Sequence, residues 1–444
     1  MGEPEPLRVA RLSTGAPEFE KSLDALLAWD VAEDSDVLAT ARDIIGRIRR
    51  EGDVALLELT CRFDRLDVAN MLDTALSAAD FQAAWDRIGE PERAALAAAA
   101  ERIRVYHEHQ LTEPWTFVDA LGNRLGQKVT PVDRVGIYVP GGQASYPSTV
   151  LMTAVPARVA GVGEIVMTVP TPDGERNDLV LAAAHVAGVD RGFTIGGAQA
   201  IAALAIGTET VPKVDKIVGP GGVFVAAAKR LVYGEVGIDM VAGPSEVLII
   251  ADGSTPVDWI VMDLFSQAEH DEAAQSLLLC PDAGYLDEVE RAMQRLLIAE
   301  PRRRTIAASL ARRGALIATR DLEEAMQLAN RIAPEHLELC LSDPEPWVER
   351  VRHAGAIFVG AHSPEVMGDY MAGPSHVLPT YGSARFSSPL GVYDFQKRSS
   401  VVRLSAQGSE ALARHSAVLA HGEGLAAHAR AAELRIRGLD HNEG

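Results

Sequence analysis

The sequence predicts an α/β fold with two parallel sheets, each covered by helices, and with helical segments at both ends of the chain. One observation is an alternation of short apolar runs and helical patterns that starts at Asp133, and another is a second such series that starts at Ser245. Alternating strands and helices favour parallel pairing, because each helix returns the chain to the edge where the next strand begins. The third observation is a helical pattern before about residue 110 and after about residue 405.

The first predicted series has four strands separated by helical patterns. The strand-like runs are "DRVGIYVPGG", "EIVMTVP", "GFTIGG" and "KIVGPGG", and the helical runs are "PSTVLMTAVPARVA", "NDLVLAAAHVAGV", "AQAIAALAIG" and "FVAAAKRLVYG". Short apolar runs bounded by glycine or proline are typical of strands, whereas longer runs with apolar residues three and four apart are typical of helices.

The second predicted series has five strands and ends before a helical tail. Its strand-like runs are "SEVLIIADG", "SLLLC", "ALIATR", "HLELCL" and "AIFVG". The tail, "SEALARHSAVLAHGEGLAAHARAAELRIRG", has no predicted sheet of its own. Such a tail must pack on something, and we expect a partner subunit to cover it.

The composition is that of a large acidic globular protein. The 444 residues are 47% hydrophobic and 23% charged, and the net charge is −20 at pH 7. This length suffices for a large core in two or three domains. The acidic balance argues against nucleic acid or an anionic membrane surface as a partner, because both require basic patches. An acidic N-terminus and short apolar runs lead us to expect a cytoplasmic protein.

The cysteines do not predict a disulfide framework, because Cys61, Cys280 and Cys340 are widely spaced and odd in number. Cys280 and Cys340 end strand-like runs, where we expect buried, inert thiols.

Three glycine turns follow predicted strands of the first series. They are "YVPGG" (138–142), "IGGAQA" (195–200) and "VGPGG" (218–222). Open α/β sheets bind ligands at the carboxyl ends of their strands, and glycine lets backbone amides approach a phosphate there. None of the three turns has the complete G-x-G-x-x-G pattern, so plain turn glycines remain an alternative to a nucleotide site.

The stretch "FSQAEHDEA" (265–273) crowds polar side chains into the end of a predicted helix. The helix has start signals at Thr255 and Pro256, and Gln267 and His270 are three residues apart, which places them on one face. A solvated last helical turn is one interpretation of this pair, and a shared ligand is the other.

Three further segments combine a carboxylate with an imidazole. They are "APEHLEL" with Glu335 and His336, "MGDYMAGPSHVLPT" with Asp369 and His376 in a loop, and "HGEGLAAHA" with Glu423 and His428 on a tail helix. Singly, each is compatible with a solvated loop or a salt-bridged helix face. Together they offer nitrogen and oxygen ligands without thiolate, which suits a divalent metal with an open position for substrate. Carboxylate and imidazole also suit general acid–base chemistry near neutral pH.

Eight motifs in this order resemble the histidinol dehydrogenases, the zinc enzymes that end histidine biosynthesis. They are "YVPGG", "GGAQAIAALA", "KIVGPGG", "AGPSEVL", "DLFSQAEHD", "APEHLEL", "GDYMAGPSHVLPT" and "EGLAAHA". The resemblance extends from about residue 30 to the tail. It implies two incomplete Rossmann-like parallel-sheet domains with helical N- and C-terminal extensions, in an intertwined homodimer. We expect an N-terminal extension (1–30), a first domain (31–130 and 247–390), an inserted second domain (131–246) and a helical tail on the partner (391–444).

The resemblance also implies a role for each matching residue. The implied ligands of one Zn²⁺ per subunit are Gln267, His270, Asp369 and His428. The implied catalytic pair is Glu335 and His336. The implied substrate contacts are Ser245, His376 and Glu423, together with the zinc ligands and His336. The implied NAD contacts are Tyr138, Gln199 and Gly222, and the last of these departs from the family, which often has Asn at that position.

The implied reaction is the oxidation of L-histidinol to L-histidine by way of L-histidinaldehyde, with two NAD reduced. Two enzyme alternatives remain at this point. An aldehyde dehydrogenase would use Cys280 or Cys340 as a nucleophile, and a metal-dependent hydrolase would use the same ligands with Glu335 as base. A non-catalytic binding module is a third alternative, although every catalytic position is filled.

Overall fold

The structure is a computed structural model that describes residues 7–28, 35–141 and 146–437. Its strands are β1 (Ala10–Ser13), β2 (Ala75–Ser77), β3 (Trp115–Val118), β4 (Arg124–Pro131), β5 (Arg134–Tyr138), β6 (Glu164–Thr168), β7 (Arg191–Phe193), β8 (Lys216–Val218), β9 (Gly237–Ile238), β10 (Glu246–Ala251), β11 (Gln275–Cys280), β12 (Gly314–Ala318), β13 (His336–Cys340), β14 (Ala356–Val359) and β15 (Gln396–Arg403).

The α-helices are α1 (Phe19–Leu27), α2 (Ser35–Glu51), α3 (Asp53–Asp64), α4 (Ala78–Arg87), α5 (Glu90–Glu108), α6 (Pro147–Val159), α7 (Asp178–Val186), α8 (Gly197–Ile206), α9 (Val223–Val232), α10 (Val257–Ala268), α11 (Ala283–Leu296), α12 (Arg303–Arg313), α13 (Leu322–Ile332), α14 (Glu345–Val348), α15 (Glu365–Tyr370), α16 (Ala406–Gly422) and α17 (Ala426–Glu433). Short 3-10 helices lie at Met71–Thr74, Pro172–Gly174, Leu297–Ala299, Ser383–Arg385 and Val392–Phe395.

The chain divides into two compact units. The larger unit comprises Met1–Gln110 and Val132–Phe395, and the smaller comprises Leu111–Pro131 and Gln396–Gly444. The larger unit contains two six-stranded sheets, which we call the first sheet (β2-β7-β6-β5-β8-β9) and the second sheet (β1-β12-β11-β10-β13-β14).

Both sheets of the larger unit are parallel, apart from the antiparallel edge strand β2 of the first sheet. The four predicted strands of the first series and the five of the second all form, with helices between them. Strands β10, β11 and β13 are buried along their whole length, as expected for parallel strands covered on both faces. The predicted α/β fold class is confirmed.

The helical lead-in packs differently from the expected grouping of 31–130 with 247–390. Helix α2 packs on α8 and α9, α4 packs on α7, and α5 packs on α6, so these helices cover the first sheet. Strand β2 also joins that sheet, and β1 of the 1–30 extension pairs with β12 of the second sheet. Both strands have only three or four residues, too short to show an apolar period. The domain boundaries themselves stay a prediction.

The smaller unit has an antiparallel three-stranded sheet of order β15-β4-β3. The tail predicted as helical over 391–444 contains a strand before its helices, because β15 (Gln396–Arg403) pairs with β4 over eight residues. The sequence of β15, "QKRSSVVR", is polar and largely exposed, so no apolar alternation marks it as a strand. The rest of the tail forms the predicted helices α16 and α17, which pack on each other.

Among the described residues, no helix combines the length and the apolar character needed to cross a membrane.

Candidate active site

The predicted catalytic pair lies at the amino end of strand β13. Helix α13 ends at Ile332 and is followed by Ala333 in the left-handed region, with a φ of 56°, which turns the chain into Pro334 and Glu335. His336 is the first residue of β13 and pairs with Val247 of β10. The pair therefore lies at the edge where β10 and β13 begin.

The ring of His336 is buried and held by a backbone carbonyl. Its Nδ1 lies 3.0 Å from the carbonyl oxygen of Glu246, and the side chain is 5% exposed. Because a carbonyl oxygen only accepts, Nδ1 carries the hydrogen and Nε2 keeps the basic lone pair. Burial lowers the pKa of His336 to about 3, with further contributions from His270 and His376. The imidazole is therefore neutral at neutral pH, with Nε2 unprotonated.

The carboxyl group of Glu335 lies beside this ring in the same buried environment. Its Oε2 accepts the backbone N–H of Glu246 at 2.8 Å and lies 3.6 Å from Nδ1 of His336. Burial, and then the nearby Glu246 carboxyl, raises the pKa of Glu335 well above its usual range. A carboxylate with a raised pKa is a stronger base than an exposed one, which suits proton transfer from water.

Helix α15 contributes Asp369 and a carboxylate that the sequence analysis missed, Glu365. Asp369 was expected in a loop, but both residues lie on this short helix. Their spacing of four places them on one face, and this spacing was a usable signal. Glu365 Oε1 lies 3.6 Å from Nδ1 of His336, and its Oε2 is buried without a hydrogen-bond partner among the described residues. Burial raises the pKa of Asp369 to about 7.

Three of these side chains bring possible metal-ligand atoms close together. One ligand atom each from His336, Glu365 and Asp369 lies within 4.8 Å of the others. Among the described residues, this is the one group of three His, Cys, Asp or Glu side chains whose ligand atoms come this close together.

Gln267 has a buried side-chain amide whose oxygen and nitrogen both lack a hydrogen-bond partner in the described structure. The residue lies one position before the end of α10, which packs on α15. His270 was expected on the same helical face, but α10 ends at Ala268, and the exposed His270 lies in the following turn with its backbone N–H on the Gln267 carbonyl.

The orphaned amide of Gln267 is costly unless something binds it, because a buried amide without a partner loses its hydration uncompensated. His270 contributes to the lowered pKa of both His336 and His376, which brings its imidazole into the same neighbourhood. An amide oxygen, an imidazole and a carboxylate make a donor set that suits zinc, so the residues present fit the implied metal.

The predicted substrate contact His376 lies in the loop after α15. Its Nδ1 is 3.8 Å from Asp369 Oδ1, and its Nε2 is 3.4 Å from the hydroxyl of Thr149 on α6. Burial lowers the pKa of His376 to about 4. Ser245 is partly buried just before β10, and its carbonyl accepts the backbone N–H of Gln275.

The tail residues Glu423 and His428 belong to the smaller unit, and both side chains are exposed. They were expected on one helix. Instead Glu423 is the C-terminal cap of α16, the chain turns at Gly424 with a φ of 73°, and His428 lies on α17.

The predicted cofactor contacts lie at the carboxyl end of the first sheet. The chain runs from β5 to β6 on one side and later returns to β8 on the other, so the strand order reverses at β5. Such a reversal is where open α/β sheets bind ligands. Tyr138 ends β5, and its hydroxyl accepts the backbone N–H of Gly197 at 3.1 Å. Gln199 is buried on α8, two residues after that glycine.

Gly222 is the N-terminal cap of α9 and is exposed to solvent. Its φ is −65°, and a Cβ built on it meets no atom within 4 Å. The turn before it is tighter, because Gly219 has a φ of 112° and a Cβ there would lie 2.2 Å from the Tyr138 carbonyl oxygen. Gly219 is therefore needed for the close approach of β5 and the turn, whereas Gly222 has room for a side chain.

The two strand-end thiols lie in surroundings that disfavour the reactive thiolate form. Cys280 and Cys340 are buried, and burial raises the pKa of Cys280 to about 11 and the pKa of Cys340 further. A nucleophilic cysteine requires a lowered pKa, so the structure opposes the aldehyde dehydrogenase alternative.

Comparison with known proteins assigns the family. A family model described as histidinol dehydrogenase matches residues 29–436. A histidinol dehydrogenase of Aromatoleum aromaticum is 63% identical over 428 residues, covering 96% of this chain and 98% of that protein. One of Pseudomonas fluorescens is 59% identical over 431 residues, covering 97% of this chain and 98% of that protein.

A solved structure agrees with the sequence relatives. A crystal structure of histidinol dehydrogenase from Elizabethkingia anophelis matches with a TM-score of 0.90 and 31% identity, and the match covers 97% of this chain and 98% of that one. This chain thus combines the eight ordered motifs, the two parallel sheets and the buried Glu335–His336 pair with a match to these relatives over nearly its whole length. The chain belongs to the histidinol dehydrogenase family.

Proposed function

We propose that the buried cluster around His336 carries out the reaction of the family. Histidinol dehydrogenases are NAD-dependent oxidoreductases that convert histidinol to histidine, acting first on the alcohol and then on the aldehyde, and this chain is an oxidoreductase of that family. In each step NAD takes a hydride, and water supplies the second oxygen of the carboxylate before the second hydride leaves. The two steps therefore need a base for the alcohol and a base for water.

His336 is the base for the alcohol. The observation that carries this proposal is the hydrogen bond from Nδ1 to the Glu246 carbonyl, which leaves Nε2 as the acceptor. A neutral imidazole in a buried site takes the hydroxyl proton as the hydride leaves the carbon.

Glu335 is the base for water in the second step. Its Oε2 is occupied by the Glu246 N–H, which orients the carboxylate next to the His336 ring. A carboxylate whose pKa is raised by burial removes a proton from water more readily than an exposed carboxylate does.

Gln267, His270 and Asp369 would hold zinc, together with His428 from a second copy of the chain. The unpaired amide of Gln267 supports this set over the His336–Glu365–Asp369 cluster, because the base role leaves His336 no free nitrogen to coordinate a metal. When bound, the metal supplies coordination that orients the substrate's nitrogen atoms. Ser245, His376 and Glu423 are then the remaining substrate contacts.

A homodimer is supported by the apolar surface of the smaller unit. Large apolar side chains that are at least 40% exposed lie on its strands and helices or directly beside them: Trp115, Phe117, Val118, Val401, Val402, Leu404, Leu412, Val418, Leu419, Leu425 and Leu434. A surface of this kind marks an interaction site. A second copy of the chain is the proposed partner, and the exposed Glu423 and His428 lie on the same unit.

NAD is proposed to bind at the carboxyl ends of β5 and β8. Tyr138 and Gln199 flank the glycine turn of α8, and Gly222 begins α9, so two helix N-termini are available near the cofactor. The cytoplasmic location stays a prediction. The hydrolase alternative has no support, because the family and the relatives are oxidoreductases.

The test is NADH formation from histidinol, followed by absorbance before and after removal of metal with a chelator. We expect two NADH for each histidinol, loss of activity on chelation, and recovery with added zinc. Full activity in the metal-free protein would contradict the zinc assignment, and a yield of one NADH would contradict the two-step reaction.

A further inference from the structure

Helix α6, which packs on the first sheet, contains a proline that deprives one backbone carbonyl of its helical hydrogen bond. Pro156 lies inside the helix and has no N–H. In a regular helix that N–H would bond to the carbonyl four residues earlier, which here is the carbonyl of Met152. Residues Thr149–Ala157 are all buried, so water does not satisfy this oxygen. The Met152 carbonyl therefore needs another donor.

The donor is the hydroxyl of Ser375, in the loop after α15. Ser375 Oγ donates to the Met152 carbonyl at 3.2 Å and accepts the backbone N–H of Val377 at 3.2 Å. The residue is 3% exposed. One hydroxyl thus ties this loop to α6 and also fixes the local backbone on either side of His376.

His376 is held by the same helix one turn earlier. Thr149 is three residues before Met152, so both lie on one face of α6. The Thr149 hydroxyl lies 3.4 Å from Nε2 of His376, and the other ring nitrogen faces Asp369 at 3.8 Å. Helix α6 therefore contacts the loop at two points, the Ser375 hydroxyl and the His376 imidazole.

We propose that Ser375 is a positioning residue for substrate binding: the carbonyl that Pro156 leaves free on α6 binds the Ser375 hydroxyl and thereby orients His376. This inference rests on the proposed function, in which His376 contacts the substrate. It also gives a reason for a proline inside a buried helix, where it otherwise costs stability.

The alternative is that Ser375 only satisfies a buried carbonyl and has no effect on the site. Ser309 on α12 provides the matched case, because its buried hydroxyl donates to the Ala274 carbonyl at 2.9 Å. Loss of a structural hydrogen bond lowers stability in both variants. Only a positioning role raises KM for histidinol in one of them.

The experiment compares Ser375→Ala, Pro156→Ala, the double variant and Ser309→Ala in the full-length enzyme. For Ser375→Ala we expect KM for histidinol to rise about fivefold, the value of one ordinary hydrogen bond, with KM for NAD unchanged. Pro156→Ala gives the Met152 carbonyl an N–H from its own helix, which competes with the Ser375 hydroxyl for that oxygen. We therefore expect a smaller rise in the same KM, with no oxygen left unpaired. The double variant should be no worse than the worse single variant, because both changes break one contact.

Three results separate the claims. A KM for histidinol that is unchanged in Ser375→Ala, or that multiplies in the double variant, would overturn the inference. If Ser375→Ala does not fold, Ser375→Cys decides in its place, because a thiol is a much weaker hydrogen-bond donor than a hydroxyl. A His376→Ala variant tests the proposed function separately, because a normal KM for histidinol there would remove His376 from substrate binding. A raised KM in His376→Ala together with a normal KM in Ser375→Ala would overturn only the positioning role.

Discussion

Gly222→Asn should tighten the binding of NAD. The backbone there has a φ of −65°, and a Cβ meets nothing within 4 Å, so the substitution introduces neither strain nor a clash. Asn is also a better N-terminal cap than Gly, by only a few tenths of a kcal/mol, so the fold should not suffer. One added hydrogen bond to a dinucleotide at the start of α9 contributes about 1 kcal/mol, which is about fivefold in affinity.

The assay is titration of NAD into the folded protein, with KM for NAD as a second measurement. Gly222→Ala is the matched control, because it adds a Cβ without a hydrogen-bonding group. Gly219→Ala gives the opposite case and should weaken NAD binding, since its φ of 112° and the Tyr138 carbonyl at 2.2 Å leave no room. Equal NAD affinity in the Asn and Ala variants would contradict the expected new contact and show that another group already occupies the position.

Three further predictions follow from buried or exposed polar groups. Gln267→Leu should lose zinc, measured by atomic absorption, yet its free energy of unfolding in urea should exceed that of the metal-free wild type by about 1 kcal/mol or more, because two unpaired buried atoms disappear. A lower free energy of unfolding would contradict this. Burial raises the pKa of Asp64, the last residue of α3, from 3.8 to about 6, so the free energy of unfolding should fall by about 3 kcal/mol on its account as the pH rises from about 4 to about 8. Asp64→Asn should lack this part of the fall, and an unchanged fall in the variant would exclude Asp64 as its source. His428→Ala and Asp369→Ala should each be inactive alone, but mixed heterodimers should recover about half of the wild-type activity, whereas ligands contributed within one subunit would give none.

The sequence predicts the fold class well where apolar runs are long and buried. Strands β10, β11 and β13 are buried throughout, so their sequences carry a clear signal. The edge strands β2 and β15 carry none, because one has three residues and the other is polar and exposed. Their positions depend on partners distant in the chain, which local patterns do not report.

The candidate site shows the same division. The residue types of Glu335 and His336 suggest acid–base chemistry, but only the structure shows that the Glu246 carbonyl fixes the ring tautomer. Glu365 was missed because a carboxylate on a short helix resembles any solvated one until its burial is known. The free carbonyl of Met152 has a local signal, since Pro156 is four residues later, yet nothing in the sequence names Ser375 as its donor.

In the proposed mechanism, Glu335 and His336 divide the two oxidation steps between them. NADH formation in Glu335→Gln, with histidinol and histidinaldehyde supplied separately, tests this division. An amide cannot take a proton from water, so we expect normal histidinol binding and a first hydride transfer, but loss of aldehyde oxidation by a factor of about 100 or more. Unchanged turnover of histidinaldehyde, with two NADH still formed from each histidinol, would contradict the claim.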